Sequence, residues 1–142
     1  MSQNNKDLNL SDNDNVYMDT QQLEYFKTKL VSWKQDILEK SKNTLEELQQ
    51  VSLHMADLND RASSETDHAI ELRNRDRQRK LISKIDSALE RIRDGSYGYC
   101  EETGDKIGVK RLEARPIATL SLEAQEYHER REKIYRDTSY KL

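Results

Sequence analysis

Two runs in which apolar residues recur at steps of three and four flank one short polar connection, and this arrangement constrains the fold more than any other feature. On the left, Leu23, Phe26, Leu30, Trp33 and Ile37 trace a coiled-coil seam. Leu45, Leu48, Val51 and Met55 resume it after a polar gap at Lys40, Ser41 and Thr44, which reads as a stutter in the heptad. On the right, Leu81, Ile85, Ala88 or Leu89, and Ile92 form a lower seam, while Ile70, Asn74 and Arg77 fall at its upper positions and bring polar groups into the stripe. Two such helices joined by a short connection must lie antiparallel if their apolar stripes are to bury each other. The connection Asp57-Leu58-Asn59-Asp60-Arg61-Ala62 is then expected at the end of a rod. Two carboxylates followed by a small residue have the form of a probe, although Asp also favours plain turn and cap roles.

Composition agrees with a rod. Apolar residues make up 34% of the 142-residue chain and charged residues 36%, which suits wet outer faces and a small core elsewhere. One Pro and four Gly argue for long uninterrupted helices and against a many-stranded β fold. The net charge of −3 does not favour a general electrostatic grip on nucleic acid. The run from Arg73 to Lys80 is nevertheless strongly basic, with Arg73, Arg77 and Lys80 on one helical face and Arg75 and Arg79 on another. It reads either as a solvated face with intrahelical ion pairs or as a docking surface for an acidic partner. No apolar run approaches the ~18 residues a membrane span needs. The start of the chain has no apolar core of a signal peptide, and a single Cys fits a reducing cytoplasm.

The remaining segments read in order. Residues 1–18, rich in Asn, Asp and Ser, are predicted to be a flexible tail. A helix start is predicted around Asp19 to Gln22, with Asp19 as cap. The second helix is predicted to open after Ala62, capped by Ser63 or Ser64, with Glu65 and Asp67 near its positive end, and to stop at Gly95. Tyr97 to Cys100 and Lys106 to Val109 read as two short strands around a turn at Gly104. Leu112, Ile117, Leu120 and Leu122 are expected to close a small knob, and Ser121 to cap a last helix.

No constellation argues for an enzyme. Cys100 lacks a locally placed base among His54, His68 and His128, and His128-Glu129-Arg130-Arg131-Glu132 lacks the second His of a zinc-protease helix. Three stretches carry a resemblance instead: Tyr97-Gly98-Tyr99-Cys100, the block from Ile107 to Pro116, and Glu71-Leu72-Arg73-Asn74-Arg75-Asp76-Arg77. Together they resemble the DksA/TraR family, over roughly Leu23 to Arg136, and its longer DksA-type members more than the short TraR type.

The resemblance implies a protein that binds RNA polymerase and puts a two-helix coiled coil into its secondary channel, with Asp57, Asp60 and Ala62 matching the family's tip pattern. It implies that Asn74 and Arg77 contact polymerase or shape the coil, and that Leu81, Lys84 and Arg115 face the effector ppGpp. A further position that is basic in the family corresponds to Gln125. The family's four zinc-binding cysteines correspond to Cys100, Thr103, Ser121 and Ala124, a set that cannot build a tetrahedral zinc site, so no zinc is expected. The expected architecture is mainly α: a tail over 1–18, a coiled coil over 19–95 with its tip at 57–62, a degenerate zinc-finger-like α/β knob over 96–126, and a C-terminal helix and tail over 127–142. The expected protein is a cytoplasmic monomer without sequence-specific DNA binding. The other classes are a nucleic-acid binder using Arg73 to Lys80 and a coiled-coil scaffold.

Overall fold

The computed structural model describes residues 10–55 and 61–140; the side chains at 48, 51–55 and 61–64 lie outside that description. Among the described residues the chain forms two long helices, α1 (Thr20–Met55) and α2 (Arg61–Asp94), then a short α3 (Val109–Ala114) and a closing α4 (Leu122–Ser139). The mainly α class predicted from the stripes holds. The chain divides into two compact units, Thr28–Leu89 and the combination of Met1–Lys27 with Glu90–Leu142. The start of α1 and the end of α2 fall in the second of these units, which also holds α3 and α4 and is termed the head.

In the coil unit, Leu30, Ile37, Ile85 and Ala88 are buried. Full burial of side chains such as Leu30 and Ile85 stabilises by roughly 1.5–3 kcal/mol each. The Lys34 ammonium lies 2.6 Å from the Asp86 carboxylate. Lys34 stands well before the end of α1 and Asp86 well past the start of α2, so their contact requires the two helices to run in opposite directions. The polar gap does not break α1: the Thr44 hydroxyl donates to the Lys40 carbonyl at 2.8 Å and satisfies itself within the turn. Burial weakens towards the connection, where Leu45 and Ile70 are exposed. The upper seam positions are therefore less well covered than the stripe predicted. The basic run behaves largely as a solvated helical face, with Arg75 paired to Glu71 and Lys80 to Asp76 one turn away. Leu48, Val51, Met55 and His54 have no described side chains, and α2 begins at Arg61, which places Ser63 and Ser64 inside the helix and not before it.

The head opens where α2 stops. The amides of Gly95, Ser96 and Tyr97 all converge on the Arg91 carbonyl, and Gly95 takes a φ of +87°. Asp94 accepts from both the amide and the hydroxyl of Ser96, at 2.9 and 2.6 Å, and these bonds hold its carboxyl below the usual range. The predicted pair of strands is reduced to a single antiparallel bridge between Tyr99 and Lys106. The second strand is cut short because Val109 is already the first residue of α3. Tyr97, Phe26 and Leu112 are fully buried, and the Tyr97 hydroxyl donates to the Pro116 carbonyl at 2.7 Å. Burial pushes the Tyr97 phenol far above its ordinary value. Leu122, expected in the core, is exposed on the first turn of α4.

The prediction of a flexible tail over 1–18 requires the largest correction. Residues 1–9 lie outside the description, but residues 10–19 pack on the head. Tyr17 is buried, and Asn13 to Asp19 form a hydrogen-bonded turn leading into α1. The Asp19 carboxylate accepts from the Gln22 amide at 2.9 Å, as a helix cap does. The buried Gln22 side chain reaches back one residue further than a capping box requires. Its Oε1 accepts from the Met18 amide at 2.8 Å, and its Nε2 donates to the Ser11 carbonyl at 3.0 Å.

Candidate functional site

Asp57 and Asp60 lie outside the described residues, and Ala62 falls within α2 without a described side chain. α1 (36 residues) and α2 (34 residues) end on either side of this segment, so chain order alone puts it at the connection of the helix pair.

Asn74, Arg77, Leu81 and Lys84 follow one another at steps of three, four and three along α2, so they share one face of that helix. Asn74, Arg77 and Lys84 are exposed, and Leu81 is half-buried. The face mixes one apolar contact with an amide and two cations, a composition that can grip an anionic group. Arg115 closes α3, in the other compact unit, and is exposed. Gln125, on α4, donates to the Glu129 carboxylate at 3.0 Å. A neutral amide bound to its own helix supplies no cation at that position.

The head presents a second arrangement, around Cys100. Its thiol is 3% exposed and free of any disulfide. Burial pushes it up, but the Thr103 hydroxyl and the amides of Ser121, Thr103 and Glu102 donate to the sulfur and together bring it down to about 6. The turn that aims these donors is closed by two bonds: Cys100 N–H to the Asp105 carbonyl at 2.8 Å, and Gly104 N–H to the Cys100 carbonyl at 3.0 Å. Glu101 N–H to the Thr119 carbonyl, at 3.0 Å, ties this turn to the segment before α4. The Ser121 hydroxyl accepts from the Ala124 amide at 3.3 Å as the cap of α4, as predicted. His128 of α4 pairs with Glu102.

Sequence reasoning missed a third cluster. The Tyr17 hydroxyl donates to the Gly98 carbonyl at 2.6 Å and accepts from the Gly108 amide at 3.0 Å, so one phenol joins both arms of the turn. Burial pushes that phenol up. Its ring meets Tyr99 edge-on at 5.7 Å and lies 5.1 Å from the Lys106 ammonium. Asp12 accepts from the Val109 amide at 2.7 Å, and Lys106 donates to the Asp12 carbonyl at 3.0 Å and pairs with Asp14. The apolar trio Val16-Tyr17-Met18, isolated in a polar stretch, was the signal available in the sequence.

Comparison with known proteins matches both units. The family described as DnaK suppressor protein DksA, N-terminal domain, covers residues 22–92, and the prokaryotic dksA/traR C4-type zinc finger covers residues 95–130. The RNA polymerase-binding transcription factor DksA of Caulobacter vibrioides is 65% identical over 124 residues, 87% of each chain. Its counterpart in Escherichia coli (strain K12) is 41% identical over 117 residues, 82% of this chain and 78% of that one. The solved structure of transcription factor DksA2 from Pseudomonas aeruginosa superposes with a TM-score of 0.79 at 40% identity, covering 87% of this chain and 95% of that one.

A C4 finger implies zinc, and the residues present do not fit it. Of the four matching positions only Cys100 offers a thiolate. The Thr103 hydroxyl donates to that sulfur, the Ser121 hydroxyl is engaged in capping α4, and Ala124 has only a methyl group. Among the described residues no three His, Cys, Asp or Glu side chains converge as metal ligands. On the two matched regions and the identity shared along most of its length, the chain belongs to the DksA/TraR family.

Proposed function

We propose that this chain is a transcription regulator that binds RNA polymerase directly, and not an enzyme. The observation that carries the reading is the 65% identity, over 87% of the chain, to a protein named as an RNA polymerase-binding transcription factor. In this reading the head and α4 hold the rim of the polymerase secondary channel, and the α1–α2 pair enters it. Asp57 and Asp60 bring negative charge near the catalytic centre, and Ala62 completes the tip pattern. Charges in a narrow channel of low dielectric act far more strongly than on a wet surface. A partner shifts an equilibrium only by binding its two states unequally, so the tip lowers the stability of open promoter complexes by preferring another state. Promoters with short-lived open complexes, ribosomal RNA promoters among them, are then inhibited.

Leu81 and Lys84 on α2, and separately Arg115 at the end of α3, are the residues assigned to the effector ppGpp on polymerase, and each cation can form charge-assisted bonds to phosphate. Asn74 and Arg77 contact polymerase from the same face of α2. The neutral Gln125 weakens this coupling relative to a cation. The protein works in the cytoplasm as a monomer and carries no structural zinc, a reading supported by the donor set at Cys100, Thr103, Ser121 and Ala124. No helix among the described residues is long and apolar enough to cross a membrane.

Replacing Asp60 with Asn tests the mechanism. With purified polymerase, binding is expected to persist while inhibition at a ribosomal RNA promoter falls sharply. Joint loss of binding and of helix content would return Asp60 to a turn-and-cap role.

A further inference from the structure

α3 has no side-chain cap of its own. Its N-cap is Gly108, at a φ of +100°, which has no side chain to accept from the first amides. The acceptor arrives instead from the start of the chain, where Asp12 takes the Val109 amide at 2.7 Å. The neighbouring Gly108 amide and the Gly98 carbonyl are joined through the Tyr17 hydroxyl. Lys106, on the second arm of the turn, reaches the Asp12 carbonyl and the Asp14 carboxylate. Met18 covers Gly98 and holds a φ of +51°, a conformation that costs a non-glycine residue about 1–2 kcal/mol. Such a conformation persists only where surrounding contacts over-determine it.

We propose that residues 11–18 form a clasp that does in this head what a metal does in a C4 finger: it ties the first arm, the second arm and α3 into one folded unit. Tetrahedral zinc fixes separate chain segments through bonds to one centre. Here the centre is the Tyr17 hydroxyl, with Asp12 and Lys106 beside it. The bonds are weaker than metal–thiolate bonds but several, and they are closed over by the buried Tyr17 ring. The clasp needs neither zinc nor a reduced set of thiols, and it makes head integrity depend on the N-terminal segment. The inference is independent of the polymerase reading.

Amide hydrogen exchange on the full chain tests it, read at Cys100 and Glu101, whose amides bond to the Asp105 and Thr119 carbonyls and not to the clasp. Tyr17→Phe and Asp12→Ala are expected to speed exchange at these sites by about tenfold or more, with α1 and α2 amides between 28 and 89 unchanged. Asp12→Asn keeps an acceptor oxygen and is expected to stay near the parent rate. Adding a chelator to the parent protein is expected to change nothing. Unaltered exchange in both disruptive variants, or opening of the same amides by chelator alone, overturns the proposal.

Discussion

Gly98 lies so close beneath Met18 that a Cβ built on it would come to 2.7 Å from the Met18 Cγ and 2.9 Å from its sulfur. The backbone at Gly98 also holds a φ of +91°, which L side chains rarely adopt. Gly98→Ala therefore combines a steric clash with backbone strain, and displaces the segment that carries Tyr17. A loss of about 2 kcal/mol or more in head stability is expected. Thermal unfolding followed by near-ultraviolet tyrosine signals checks this, since Tyr17, Tyr97 and Tyr99 cluster there. Gly104, with open space around its α-carbon, is the control, because Gly104→Ala meets strain alone.

The Tyr97 hydroxyl is buried and bonded to the Pro116 carbonyl. Tyr97→Phe leaves that carbonyl unpaired in a dry site, at an expected cost of about 1–3 kcal/mol. Denaturant unfolding should report a lower midpoint with an unchanged slope.

Cys100 gives the head a pH dependence of defined sign. Its folded-state value near 6 lies below the ordinary thiol value of 9.0, so the fold favours the thiolate. The stabilisation is fully present above pH 9, shrinks as pH falls towards 6, and is absent below. Thiolate absorbance should titrate near pH 6 in the folded protein. Cys100→Ser should flatten the pH–stability curve between 6 and 9.

The Ser121 hydroxyl is committed to the Ala124 amide. Ser121→Ala should cost about 1 kcal/mol through the lost cap. Ser121→Asp, which can cap as well, should recover most of it. The measurement is the thermal midpoint of the head.

Lys34 and Asp86 form a well-placed but exposed pair. Asp86→Asn should lower stability by less than about 1 kcal/mol, and the difference should vanish in high salt.

The helix pair was legible because a period of three and four over many turns leaves few alternatives, and Leu30, Ile37, Ile85 and Ala88 are buried as the stripes require. The caps at Asp19 and Ser121 and the stop at Gly95 were equally readable, since each is a local bond between residues close in sequence. What failed was non-local. Val109 looks like a strand residue, and becomes the first residue of a helix because Asp12 caps it from the far end of the chain. The segment 10–18 looks polar and unstructured, and is ordered because its few apolar residues and acceptors meet partners that no periodicity links to them. The tip aspartates and the face carrying Asn74, Arg77, Leu81 and Lys84 came from family resemblance, and for that face the helix geometry adds that its members are aligned.

The bonds that close the head join residues far apart in the chain: 81 positions separate Tyr17 from Gly98, and 97 separate Asp12 from Val109. Contacts of such long range form late, after the nearby ones. During synthesis the helix pair can therefore pair up soon after α2 emerges, while residues 11–18 wait for their partners until most of the chain has been made. A stalled or truncated product would thus carry a finished rod and an open head, a marked target for proteases.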